Sequence, residues 1–446
     1  MNHPWLTWKP QDVEIERQQL LDEGVDIKRL GSYADYKLDL LSTHGGINDF
    51  QHHVDSLFDT IAQHPEKTNE PSDLIGIRNL RGPYPLHLTL PATETIRDKM
   101  AGAWLGRCVG CLLGKPIEGV KRPRLQVLLD KYGYESIPDY IWKFPYLKEE
   151  DCQDFGWNDP WWYRNTSSFP GDDDTDYTVL AMAMVKKKGI NFTPSDVADF
   201  WLYNMPILHT CTAERVAYRN FVDGIYPPLS ATRRNPYREW IGAQIRADLY
   251  GYITPGNPEK AAELAWRDAS ISHVKNGIYG AMWVAAMLSV SFCENNIYTI
   301  IRAGLAQIPK TSRLHDAITE VICWYIMGLT FDKVLGKIHK AWDENNPHHW
   351  CHVIPNAQIV AASLLYSENS FDKAISNAVI SCFDTDCNGA TVGSIMGMIL
   401  GTNGISNKLS SVMNDTIITS INGYNNTKIS TISDEIFKLQ TEVNNK

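Results

Sequence analysis

Two runs of carboxylates stand at the starts of apolar helical stretches in this sequence. The first is Gly171-Asp172-Asp173-Asp174-Thr175, after Pro170 and before Tyr177 to Val185. One Asp there would be an ordinary helix cap, favoured by the helix dipole. Three in succession repel one another, so a partly buried cluster needs a cation or protons to hold it, whereas in isolation the turn reads as a solvated cap. The second run, Asp384-Thr385-Asp386-Cys387-Asn388-Gly389, imitates the first half of an EF-hand loop. The imitation fails at the twelfth position, which is Ile395 instead of a bidentate Glu. Carboxylates at a buried helix start without that Glu fit a hard cation, Mg²⁺ or Mn²⁺, completed by ligands from elsewhere, and the run at Asp173 is the evident partner. Two such groups suit a two-metal centre that activates water and orients a ligand's oxygens.

Other residues carry chemistry only in the right company. Glu118, in Gly114-Lys115-Pro116-Ile117-Glu118-Gly119, is surface charge if alone and a general acid or base if helix ends converge on it. His273, in Ser272-His273-Val274-Lys275-Asn276-Gly277, either contacts a ligand or caps a helix. His348, His349 and His352 with Cys351 offer zinc ligands, and Cys108 with Cys111 forms a CxxC, but no second pair follows and polar helix starts explain adjacent histidines as well. The aromatic run Trp142, Phe144, Tyr146, Phe155, Trp157, Trp161, Trp162, Tyr163 and Phe169 reads as core, with a stacking surface for a planar base as the alternative.

The elements that must position these residues are helices. Ile96, Met100, Ala103, Trp104, Cys108, Cys111 and Leu112 recur at helical spacing, with Thr95 and Asp98 marking a start. In that helix Gly102, Gly106, Gly110 and Gly114 fall every four residues and share one face. Gly389, Gly393, Gly397 and Gly401 repeat the pattern in the helix that follows Asp384, and Gly277, Ala281 and Ala285 form a shorter stripe. Glycine costs about 1 kcal/mol relative to Ala in a helix interior, so four in register predict close approach of another backbone or a ligand. Helical spacing also marks Asp176 to Lys188, Pro194 to Asn204, Pro258 to Ala269, Ser312 to Met327, Phe331 to Trp342, Asn356 to Tyr366 and Phe371 to Ile380. The expected fold is therefore all-α, with a hairpin about Asn422-Gly423 leading into Lys428 to Ile432. Residues 1–91 read as an N-terminal helical extension with a connector at Pro65 to Pro91, residues 92–404 as the main body, and 405–446 as a segment packing on it.

Composition narrows the function classes. With 42 basic and 52 acidic side chains in 446 residues, the net charge of -10 argues against a nucleic-acid or anionic-membrane binder. The start lacks a secretory pattern, and the apolar stretches at Ala101 to Leu113 and Ala390 to Leu400 are shorter than the ~20 residues of a membrane span. Nine scattered cysteines fit reduced thiols, hence a cytoplasmic protein.

In their order, Gly102-Ala103-Trp104-Leu105-Gly106 through Glu118, Asp172 to Thr175, His273 to Gly280 and Asp384-Thr385-Asp386 resemble the ADP-ribosylglycohydrolase family. The resemblance implies a compact helical domain whose central cleft holds two Mg²⁺ (or Mn²⁺) ions. It places the metal ligands at Asp172, Asp173, Asp174, Asp384, Asp386 and Cys387, and catalysis at Glu118 and Asp386. His273, Asn276, Gly277 and Asn388 would meet the substrate, the helix start at Asn276 and Gly277 receiving a pyrophosphate. The implied reaction hydrolyses the glycosidic bond at ribose C1″ of ADP-ribose on a protein side chain or small acceptor. This chain departs from the family at Asp172 and Cys387, where threonines are usual, at Cys382-Phe383 in place of a glycine pair, and at Cys111 in place of an Asp. Those departures leave open another ribosyl or N-glycosyl substrate. The long extension leaves open a partner-binding or immunity-type protein directed at an ADP-ribosylating toxin.

Overall fold

The computed structural model describes residues 6–30, 32–46, 48–63, 69–144, 147–148, 150–151 and 165–444. At its centre lie two antiparallel helices, Thr93–Gly114 and Thr385–Leu400, joined along their glycine faces. Gly102 meets Gly397, Gly106 meets Gly393, Gly110 meets Gly389, and Gly114 meets the Thr385–Asp386 backbone. A Cβ on Gly110 would stand 2.6 Å from the Gly389 carbonyl carbon, and one on Gly393 would stand 2.9 Å from that of Gly106. Neither backbone can yield at that range, so the glycines are required by helix contact, which brings Cα–H groups against carbonyl oxygens. The ladder also fixes the site. Because the helices run antiparallel, the end of the first, with Lys115 and Glu118 beyond it, lies against the start of the second at Asp384, and the Thr385 hydroxyl donates to the Gly114 carbonyl at 2.9 Å.

The first helix starts at Thr93, not Thr95, and Asp98 does not cap it. Instead the Asp98 carboxylate accepts from the Thr402 N–H at 3.3 Å and the Thr402 hydroxyl at 2.5 Å, pinning the far end of the second ladder helix. Around this pair the expected helices form, among them Asp173–Lys188, Pro194–Asn204, Pro258–Ala269, Arg313–Ile326, Phe331–Ala341, Val353–Leu365 and Phe371–Ile380. Lys275–Ser291 is buried on every side beyond its first residue, which suits its Ala- and Gly-rich sequence. Apart from isolated bridges, the β-structure among the described residues is one antiparallel pair, Thr416–Ile418 with Asn426–Lys428. The hairpin ends sooner than expected, since Ile429 to Ile432 open a helix, Ile429–Asn444, whose Ile429, Ile432, Ile436 and Leu439 are buried.

Before residue 92 the chain forms helices Pro10–Asp22, Ser32–Thr43 and Phe50–Ile61. A further helix, Leu74–Leu80, interrupts the stretch read as a connector, capped by Asp73, whose Oδ1 accepts from the Gly76 N–H at 2.8 Å. Polar pairs pin this region to the body: Arg238 to Glu16 at 2.6 Å and Glu23 at 2.7 Å, and Arg313 to Glu70 at 2.8 Å. No described helix is long and apolar enough to cross a membrane. Every described cysteine is a free thiol. Trp142, Phe144 and Phe169 are buried as core, while Tyr146, Phe155, Trp157, Trp161, Trp162 and Tyr163 lie outside the described residues.

Candidate active site

The two aspartate runs and Glu118 meet at one cleft of about 500 Å³, within the roughly 300–1,000 Å³ range of ligand sites. Glu118, Asp172, Asp173, Asp384, Asp386 and Cys387 line it. A cavity of about 600 Å³ between the N-terminal helices and the body is larger, but the arginines on its wall are paired with its own carboxylates, as Arg234 is with Asp59. The acidic cleft is the one with unmet chemistry.

Its two sides differ. On one side, Asp172 caps helix Asp173–Lys188, its Oδ1 accepting from the Asp174 N–H at 2.9 Å, and its Oδ2 pairs with the Lys115 ammonium. Asp174 is fully buried and held by Arg107, which donates to its carbonyl at 2.8 Å and its Oδ1 at 3.1 Å and also to Asp248 at 2.9 Å. Arg107 lies in the first ladder helix, so it ties the first aspartate run to the glycine pair. Arg107→Met is expected to leave two buried carboxylates uncompensated and to cost about 3 kcal/mol, measured by urea unfolding.

On the other side, Asp384 holds the N-cap position of the second ladder helix yet makes no capping bond. Its Oδ2 accepts from the Cys351 thiol at 3.2 Å, while Asp384 Oδ1 and Asp386 Oδ1 are buried without a hydrogen-bond partner. Ligand atoms of Glu118, Asp384 and Asp386 lie within 4.8 Å of one another, and so do those of Asp174, Asp386 and Cys387. Unpartnered buried carboxylate oxygens in a convergent set are what a divalent cation requires, so the residues present fit one. The preceding pair, Cys382 and Phe383, has φ of 60° at both residues, a left-handed backbone that favours glycine. The strain falls at the positions where the resemblance implies a glycine pair.

Burial, reinforced by the neighbouring carboxylates, pushes the Asp173 and Asp386 carboxyls well above their usual range. Burial also pulls the Lys115 ammonium down, but Asp172 more than reverses this and leaves it raised. Loss of water around it, then Asp384 and Asp172, push the Glu118 carboxyl up to about 7, with Lys115 opposing. The Glu118 side chain is exposed to water in the cleft, which screens part of that push.

Ligand atoms of Asp22, His348 and His352 lie within 4.8 Å of one another, but the ring tautomers argue against a zinc site. Hydrogen-bond partners assign these tautomers: Nδ1 accepts from the Trp240 indole at 2.9 Å in His348, from the Asp343 N–H at 3.2 Å in His349, and from the Ile354 N–H at 3.2 Å in His352. The Nε2 protons of His348 and His349 then face Asp22 at 3.3 and 3.6 Å, that of His352 faces Glu239 at 3.6 Å, and no ring lone pair is left for a metal. Burial holds the His348 imidazole down at about 4 against the pull of Asp22. An unfolded His, near 6.5, takes its proton first, so this contribution is complete above that pH and is lost as pH falls toward 4. The stability difference between wild type and His348→Gln should shrink by up to about 1.4 kcal/mol per pH unit across that window in urea melts.

The expected substrate residues are not brought to the cleft lining. His273 is fully buried, its Nδ1 bonded to the Ser272 hydroxyl at 2.8 Å. Asn276 donates to Glu239 at 3.2 Å and accepts from the Leu314 N–H at 3.0 Å, and Gly277 packs under the Arg238 carbonyl. The helix start expected to bind a pyrophosphate is therefore packed against the Arg238 carbonyl and the Glu239 carboxylate. Asn388 lies one turn beneath Asp384, bonded to Asn356 at 2.7 Å, with its own Oδ1 buried and unpartnered. Conversely, Cys211, Glu214, Trp240 and Trp350 line the cleft without having been singled out as site residues, and Cys351, read with the histidines as a zinc ligand, lines it too. Arg107, a charge inside an apolar helix, is the sequence feature that could have pointed to the network behind it.

A sequence profile of the ADP-ribosylglycohydrolase family matches residues 92–444. A solved structure named "ADP-ribosylglycohydrolase-related protein complex" aligns with a TM-score of 0.50 at 17% identity, covering 78% of this chain and 99% of that one. That likeness speaks for the fold alone. No curated protein sequence matches the chain. The profile spans most of the length and runs through every residue that lines the acidic cleft, so the chain belongs to the ADP-ribosylglycohydrolase family.

Proposed function

We propose that the cleft hydrolyses the glycosidic bond at ribose C1″ of an ADP-ribosyl compound, with Mg²⁺ or Mn²⁺ as cofactor and an ADP-ribosylated protein or small acceptor as substrate. The observation that carries this reading is the convergence of Glu118, Asp384 and Asp386, with a buried, unpartnered oxygen on each aspartate. When bound there, a divalent cation supplies a Lewis acid and lowers the pKa of water. Glu118, open to the cleft with its carboxyl pushed above its usual range, is placed to accept a proton from the attacking water and return it to the leaving group. Asp173 and Asp386 line the same cleft, and the glycine ladder sets the spacing of Glu118 and Asp386. Trp350, half-buried in the lining beside Trp240, offers a planar face to a base. The test is release of free ADP-ribose, followed by chromatography, from ADP-ribosylated protein and from small ADP-ribosyl compounds, with and without added Mg²⁺ or Mn²⁺. Cation-dependent release supports the reading, and an inert protein with bound cation overturns it.

A further inference from the structure

The carboxylates of the cleft are not equally available to a cation. Asp172 already has both oxygens engaged, Oδ1 by the Asp174 N–H and Oδ2 by the Lys115 ammonium. Asp174 is likewise committed, with Oδ1 on Arg107 and Oδ2 beside the Cys111 thiol at 3.9 Å. Both aspartates are thus satisfied by groups belonging to the chain, although their ligand atoms and that of Cys111 lie within 4.8 Å of one another, and Asp173 joins no such convergent group among the described residues. Asp384 and Asp386 are 3% and 5% exposed, and each keeps one oxygen with no partner, while Glu118 stands within the same 4.8 Å group. Cys387, whose ligand atom groups with those of Asp386 and Asp174, is a poor ligand for a hard ion where the resemblance implies a threonine oxygen.

We infer that the cleft binds a single divalent cation, on Asp384 and Asp386 beside Glu118, and that the Lys115 ammonium on Asp172 stands as the second positive charge of the site. This rests on the proposed cation-dependent reading and goes beyond it, because the resemblance implies two ions. The charges agree with it. A second ion on the Asp172 side would face Lys115, 25% exposed and held against a carboxylate that is 2% exposed, and the two cations would repel each other at short range. Lys115 also brings a fixed charge to the wall that a substrate's anionic groups must approach.

Stoichiometry decides the matter. The full-length protein, stripped by chelator, is titrated with Mn²⁺ by calorimetry and by electron paramagnetic resonance, alongside Lys115→Met. The expected results are one tight Mn²⁺ per wild-type chain with the spectrum of an isolated ion, and a second bound ion with spin coupling in Lys115→Met. Two ions of similar affinity in the wild type would overturn the inference, and so would one ion in both proteins, since Lys115 would then exclude nothing. If Lys115→Met does not fold, the wild-type stoichiometry and spectrum still decide on the single ion. ADP-ribose release from the same preparations separates the two claims. Two ions with release contradicts only this inference, one ion without release contradicts only the proposed function, and no ion contradicts both.

Discussion

Asp386→Ala is expected to abolish cation-dependent hydrolysis, with kcat/KM falling by a factor on the order of 10³ or more, while the protein stays folded. The size follows from what Asp386 touches. It belongs to two of the convergent ligand groups, and its Oδ1 is buried with nothing to receive. Folding should not suffer, because burial and the surrounding carboxylates already disfavour its charge, so its removal relieves repulsion among Glu118, Asp384 and Asp172. The cation-free variant should therefore melt at or above the temperature of the cation-free wild type. Wild type should gain stability when the cation is added, about 2.7 kcal/mol at a hundredfold excess over Kd, and the variant should gain little. A catalytic group held at a cost to stability behaves this way, whereas a structural carboxylate would lower the melting temperature in both conditions.

Gly110→Ala carries the largest expected effect on the fold. The added methyl would enter the Gly389 carbonyl group, with 2.6 Å left to its carbon, and the atom it meets is backbone that cannot rotate away. The two helices would have to separate, opening the Gly106–Gly393 and Gly102–Gly397 contacts as well. A loss of about 4 kcal/mol or more is expected, enough to unfold many domains. Gly336→Ala is the matched control. It lies in helix Phe331–Ala341 with open space where its Cβ would go, and there the same substitution should stabilise by up to about 1 kcal/mol. Chemical denaturation of both variants separates a steric requirement from helix propensity. If the two changes had similar effects, the ladder would not be a close backbone contact.

These two positions also show what the sequence makes legible. Glycines at intervals of four announce a backbone approach, and the structure supplies the partner, the other ladder, which no spacing rule could name. The aspartate runs were visible because like charges at a helix start demand a counter-charge. Their division into a side neutralised by Lys115 and Arg107 and a side left open was not visible, because it depends on side chains from two other segments meeting Asp172 and Asp174. The same limit explains His273 and Asn276. A polar residue at a small-residue helix start looks alike whether it faces a ligand or, as Asn276 does, a buried Glu239. Cys351 stood next to three histidines and read with them, yet its thiol belongs to Asp384 and their rings belong to Asp22 and Glu239. Neighbours in sequence were there a poor guide to neighbours in space.

The most direct test of the central claim is ADP-ribose release by the chelator-stripped protein as Mg²⁺ or Mn²⁺ is restored, with Asp386→Ala measured in parallel. Release from an ADP-ribosylated substrate that rises with cation in the wild type and stays at background in Asp386→Ala is the predicted result. Release that is equal with and without cation, or that survives in Asp386→Ala, would contradict the assignment of this cleft as a cation-dependent glycohydrolase site.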